Sequence, residues 1–166
     1  AYLKANWPAE YMSAVLTHEG GDVEKVSISV KECERMGIKV LPPDVNESYG
    51  NFGVVGDKVI RFGLFSIKNF GEGIGSVIIA ERKKNGPFKH LEDFLNRIKD
   101  KNLNKKSLES LIKAGAMDMF GERGTMLANL QDMLDYNRER TRMPENQDSL
   151  FGALLGDDAN AVQHLK

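Results

Sequence analysis

At 166 residues, with 41% apolar and 28% charged residues, the chain can bury one sizeable core or two small ones. No apolar run approaches the roughly 20 residues that cross a bilayer, no signal-peptide pattern opens the sequence, and the single Cys33 excludes an internal disulfide and fits a reducing cytoplasm. The net charge of −1 conceals a segregation: residues 1–56 carry 5 Lys/Arg against 8 Asp/Glu, residues 57–113 carry 13 against 7, and residues 114–166 carry 5 against 9.

Trp7-Pro8-Ala9-Glu10 puts a proline in a first helical turn with Asn6 as its N-cap, and Met12, Val15 and Leu16 supply the apolar stripe. Gly20-Gly21 stops this helix. Asp22 caps the next, which runs to about Met36 and ends at Gly37. Ile38 to Leu41 reads as a short extended run, halted by Pro42-Pro43. Asp44 to Asp57 is rich in Asn and Gly and reads as irregular, the best internal boundary. Val59 to Gly63 is a brief strand candidate.

From Leu64 the pattern is helical up to Gly71, and a second helix leaves Gly73. Gly86-Pro87 separates it from a helix near Leu91 to Ile98, with Asp93 in its first turn. Asn102 to Asn104 breaks the chain before a helix containing Ser107, Leu108, Leu111 and Ile112. That helix runs into Ala114-Gly115-Ala116, so helix, small turn, helix occurs twice. Thr125 to Arg142 reads as one long surface helix that Met143-Pro144 ends. The predicted fold is mainly α, with one or two short strands.

Gly71-Glu72-Gly73 is the most specific local feature. Two glycines one residue apart turn tightly and leave their N–H groups unshielded by any Cβ. At a helix start, those groups and the helix dipole make an anion site. The template of apolar residue, two spacers, apolar residue and Gly-x-Gly is met by Ile67, Phe70, Gly71 and Gly73, as in a helix-hairpin-helix DNA-binding unit. Glu72 departs from the apolar residue common between those glycines. The basic residues concentrate around the two turns, in Arg82-Lys83-Lys84 and in Lys99, Lys101, Lys105 and Lys106, where a polyanion would be drawn.

No catalytic set emerges. His18, His90 and His164 are far apart, and no Cys or His pair has metal-ligand spacing. Gly71-Glu72-Gly73 lacks the Gly-Lys-Ser/Thr of a phosphate loop, and Gly71, Gly73 and Gly75 lack the parallel sheet of a dinucleotide fold. Asp44 and Glu47 suit loop capping better than half a metal site. Cys33 reads as a small apolar helix residue. In the tail, Gln147-Asp148-Ser149-Leu150-Phe151 has the form of a linear docking motif, with two apolar anchors and an amide.

Several strings together resemble the C-family replicative DNA polymerases of bacteria, the DNA polymerase III alpha subunits. They are Ala1-Tyr2-Leu3-Lys4-Ala5, Pro8-Ala9-Glu10-Tyr11-Met12, Met36-Gly37-Ile38, Leu41-Pro42-Pro43-Asp44-Val45-Asn46, Phe62-Gly63-Leu64, Ile67-Lys68, Gly71-Glu72-Gly73, Leu111-Ile112-Lys113-Ala114-Gly115-Ala116 and Asp118. They cover about residues 1–155 in uninterrupted order, and Glu between the glycines is common in that family. The resemblance implies a piece of a longer chain: residues 1–45 as the end of a fingers domain, 46–145 as a tandem helix-hairpin-helix DNA-binding domain, and 146–166 as a flexible tail. It also implies a sliding-clamp docking motif at Gln147, Leu150 and Phe151.

On this basis, the residues expected to face duplex DNA are Lys68, Asn69, Phe70, Gly71, Glu72, Gly73, Ile74, Gly75, Arg82, Lys83, Lys84, Lys105, Lys106, Lys113, Gly115 and Ala116. The palm that carries the family's catalytic aspartates is absent, so no catalytic residue, metal or cofactor is expected in this chain. Magnesium and deoxynucleoside triphosphates belong to the parent polymerase. Expected partners are double-stranded DNA, the clamp and other replicase subunits, in the cytoplasm and without a membrane. The alternatives are a protein–protein scaffold with negligible DNA contact and a helix-hairpin-helix module of a DNA repair protein.

Overall fold

The computed structural model describes residues 1–143. The described residues are mainly helical, as expected, with one small sheet. Helices α1 (Tyr2–Asn6), α2 (Pro8–Glu19) and α3 (Val23–Arg35) come first, followed by strands β1 (Lys39–Leu41), β2 (Gly53–Gly56) and β3 (Val59–Arg61). Five helices follow: α4 (Glu72–Asn85), α5 (Leu91–Arg97), α6 (Lys105–Lys113), α7 (Arg123–Ala128) and α8 (Leu130–Arg142).

The punctuation residues act largely as their chemistry demands. Asp22 accepts a hydrogen bond from the Lys25 N–H at 3.2 Å and starts α3. Gly37, at φ +73, ends it: its N–H donates to the Glu34 carbonyl and that of Ile38 to the Cys33 carbonyl. Strand β3 lies between the others, parallel to β1 and antiparallel to β2.

Two apolar cores result. The smaller joins Met12 and Leu16 of α2, Val26 and Cys33 of α3, Ile38, Phe52 and Ile60 of β3. The larger is built by α4 to α8 together with Val45, Leu64, Ile67 and Phe70. Phe94 is fully buried at its centre, with its ring centroid 5.0 Å from that of Phe88 and 6.0 Å from that of Phe120.

Four local expectations are corrected. Asn6 is the last residue of α1, and Trp7 takes the N-cap position of α2. Proline at position 8 disfavours helical geometry in the residue before it, so the break falls at Trp7. Within the stretch that read as irregular, Gly53–Gly56 forms edge strand β2, which has a bulge between Val54 and Gly56. Its two glycines and exposed valines carry no alternating pattern.

The apolar run after Gly63 forms only a 3-10 turn, Leu64–Ser66. Asn69 then adopts the left-handed conformation at φ +62, which prevents a continuous helix from reaching Gly71. Finally, the expected long helix over 125–142 is two helices broken at Asn129. The Asn129 amide donates to the Thr125 carbonyl at 2.8 Å and competes with the helical ladder.

Candidate nucleic-acid interface

The first turn presents backbone. Gly71 is the N-cap of α4, with φ −81 and ψ 143, and no side chain caps the helix. The first N–H groups of a helix have no intrahelical partner, so this end faces outward with its donors available. A Cβ built on Gly71 or Gly73 would meet nothing within 4 Å, and neither residue has the positive φ that calls for glycine. Nothing inside the molecule requires glycine at either place, and Gly73 costs the helix about 1 kcal/mol relative to Ala. Glu72 is exposed in the first turn of α4, where a carboxylate suits the dipole.

The neighbours of these glycines divide by burial. Lys68 and Asn69 are exposed. Phe70 and Ile74 are buried in the core, and Gly75 is buried beside them. A Cβ at Gly75 would stand 2.9 Å from the Phe65 ring and 3.2 Å from that of Phe70, so this glycine serves internal packing.

Helix α6 forms the other wall. Two adjoining depressions of about 410 and about 340 Å³ run between it and the first turn. Asn69, Gly71, Gly73, Asn104, Lys106 and Ser107 line one; Lys68, Asn69, Lys106, Glu109 and Lys113 line the other. The start of α6 is closed by a capping box: Asn104 Oδ1 accepts from the Ser107 N–H at 3.0 Å, and Ser107 Oγ accepts from the Asn104 N–H at 2.9 Å.

Lys105 and Lys106 occupy the first turn of α6, with no acidic residue beside them there. Positive charge at the positive end of a helix works against stability. Lys113 bonds Glu109 at 2.6 Å, and this hydrogen bond and charge hold the Glu109 carboxyl below its ordinary range.

The second turn points inward. Gly115, at φ +83, donates its N–H to the Ile112 carbonyl, and the Ala116 N–H donates to that of Leu111. This arrangement closes the end of α6 and leaves neither group available. Ala116 is fully buried, and its carbonyl accepts from the Val45 N–H at 3.0 Å. A Cβ at Gly115 would lie 2.4 Å from Arg123 Nη2.

A family model described as a helix-hairpin-helix motif matches residues 37–126. The chain belongs to the helix-hairpin-helix family. It is similar to DNA polymerase III subunit alpha of Thermus aquaticus, 47% identical over 145 residues that cover 86% of this chain and 12% of that protein. The proteins of the same name from Deinococcus radiodurans and Borreliella burgdorferi are 47% and 42% identical over 135 and 160 residues. Those matches cover 81% and 95% of this chain, and 10% and 14% of the relatives. The chain therefore spans a small part of the curated relatives it matches, and the resemblance drawn from Leu41–Asn46 and Gly71–Gly73 is borne out.

In helix-hairpin-helix terms, the first hairpin offers a turn and the second offers its leading helix. The other sequence-expected residues sit elsewhere. Arg82 is half-buried, and its guanidinium donates to the carbonyls of Val45 and Ser48, each at 2.8 Å. Burial pulls its pKa down from the ordinary arginine range. Lys83 and Lys84 are exposed but lie near the far end of α4, roughly 17–20 Å along its axis from Gly71.

Asn102, Asn104 and Ser107 line the groove and were not singled out for that role. The Asn-x-x-Ser capping spacing was the readable signal for two of them. Gln147, Leu150 and Phe151 lie outside the described residues. Among the described residues no helix is long and apolar enough to cross a membrane, and no three His, Cys, Asp or Glu side chains gather to hold a metal.

Proposed function

We propose that this chain is the part of a bacterial DNA polymerase III alpha subunit that holds the DNA duplex by its phosphates without reading base sequence. The observation that carries the reading is the pair Gly71 and Gly73. Both stand at an uncapped helix start, both have open space where a Cβ would be, and both face a groove shared with Lys106. Phosphate oxygens fit this chemistry, because backbone N–H groups and lysines bind them irrespective of base.

Residues in the groove have distinct roles in this reading. The N–H groups at the start of α4 take one phosphate, and Lys68 and Lys106 neutralise its neighbours. Lys113 and Lys105 extend the positive surface along α6. Arg82, Gly75, Gly115 and Ala116 hold the scaffold. The polymerase chemistry of the parent, with its magnesium and deoxynucleoside triphosphates, belongs to other parts of that protein, and nothing proposed here passes through a metal. Gln147, Leu150 and Phe151 dock the sliding clamp, which keeps the duplex at high effective concentration.

Fluorescence anisotropy with a nonspecific duplex tests the reading. Affinity falling steeply with salt and indifferent to sequence supports it. Binding that stays negligible at low salt supports instead a scaffold that contacts protein only.

A further inference from the structure

The segment Asp44–Ser48 bonds both hairpin units at once. Its Val45 N–H donates to the Ala116 carbonyl of the second turn at 3.0 Å. Its Val45 and Ser48 carbonyls each accept from Arg82, on α4 of the first hairpin. The Asn46 side chain exchanges two hydrogen bonds with the Phe88 backbone, at 2.9 and 2.8 Å, where α4 passes into α5.

The segment is itself tied down. Asp44 Oδ1 accepts from the Asn46 N–H at 2.7 Å, and Ser48 Oγ donates to the Phe62 carbonyl at 2.8 Å. Val45 and Ser48 are fully buried. The closely packed pairs in the second unit are α5 with α8, α6 with α7 and α6 with α8, whereas α4 packs along its backbone chiefly on the turn Leu64–Ser66. Core side chains, Arg97 of α5, which donates to Glu81 near the end of α4 at 2.9 Å, and this segment therefore set how α4 is oriented against α6.

We propose that Arg82 and Asn46 are positioning residues. Acting through Asp44–Ser48, they fix the two hairpin units at the separation that lets one duplex engage the first turn and α6 together. The inference rests on the DNA-binding reading above. A guanidinium suits the task because its planar fork spans two carbonyls, which an ammonium cannot do with fixed geometry.

The test compares the full 166-residue chain with Arg82→Lys, Arg82→Met and Asn46→Ala, using nonspecific duplexes of about 10 and about 20 base pairs, one and two helical turns. Circular dichroism and thermal melting first establish that each variant is folded at the assay temperature. The wild type is expected to gain affinity on the longer duplex and to show a steep salt dependence. In the variants, the gain with length disappears and the slope of log K against log salt falls by about 2, as fewer phosphates are engaged together.

Arg82→Lys keeps the charge and Asn46→Ala changes none, so a reduced slope in these two does not come from a lost cation. A variant that is merely less stable keeps the wild-type slope and loses affinity only through its folded fraction, and that result overturns the proposal. Unfolding of all three variants overturns it too, because the contacts then serve stability alone. A wild type without salt-dependent binding overturns the DNA reading itself.

Discussion

The guanidinium of Arg97 lies 4.4 Å from the centroid of the Phe88 ring, and from there it reaches two carboxylates and the carbonyls of Glu81, Gly86 and Pro87. It donates to Glu81 at 2.9 Å, to Asp93 at 3.2 Å and to the Gly86 carbonyl at 2.8 Å, so one side chain ties the end of α5 to the end of α4. Its side chain is 17% exposed and that of Glu81 is 21% exposed. Removing it takes the cation away from the Glu81 and Asp93 carboxylates, which keep only Asn85 and the Lys89 N–H, and takes the side-chain donor from the Gly86 carbonyl. Arg97→Met is expected to lower unfolding free energy by about 2–3 kcal/mol, read from urea denaturation at unchanged m-value.

Glu32 joins α1 to α3 and titrates far from its ordinary value. Hydrogen bonds from Arg35 and Lys4 hold its carboxyl down at about 2. The folded-state pKa lies below the unfolded one, so this contribution to stability is present above about 4.5 and is lost as pH falls towards 2. NMR titration should find Glu32 ionised at pH 3.5. In Glu32→Gln the part of the acid destabilisation that falls in this window should disappear.

Position in the groove, rather than charge alone, should rank the lysines. Lys68→Glu and Lys106→Glu are each expected to reduce the salt slope of duplex binding by about 1 and to weaken all sequences alike. Lys83→Glu, remote along α4, should change the slope by much less. Salt titrations of the three variants decide this; equal effects at all three positions would reduce the groove to a diffuse positive surface.

Much of this arrangement was legible in the sequence because local chemistry decides it. Asp22, Gly37, the Asn104–Ser107 spacing and Gly86-Pro87 punctuate helices by their own backbone and side-chain preferences. What escaped was set by pairing and packing rather than by the segment's own residues. The strand Gly53–Gly56 exists because Val59–Arg61 pairs with it, and its own residues favour a turn. The basic cluster at Arg82 read as surface charge, but its fork is taken up by carbonyls 34 and 37 residues away. The two small turns looked equivalent, yet Gly115 closes a helix end while Gly71 opens one outward. That difference lies in which N–H groups are already bonded, and composition does not record it.

The tail makes a separate claim. Replacing Leu150 and Phe151 together by Ala should weaken clamp binding by about 30-fold or more, the loss of two buried anchors at ~2 kcal/mol. Duplex affinity of the same variant should be unchanged. Clamp affinity within a factor of about two of wild type would remove the docking motif from the account.

The central claim is that Gly71 and Gly73 are glycines for the sake of something outside the molecule. The most direct measurement pairs thermal stability with duplex affinity in the double variant Gly71→Ala, Gly73→Ala. With open space at both Cβ positions, the gain of about 1 kcal/mol from Ala at Gly73 is offset by the cost of Ala at the N-cap Gly71, so the variant should be about as stable as wild type. Its duplex affinity should nevertheless fall about tenfold or more, because each added methyl stands between the helix start and a phosphate. Undiminished affinity in a protein of equal or greater stability would contradict the account.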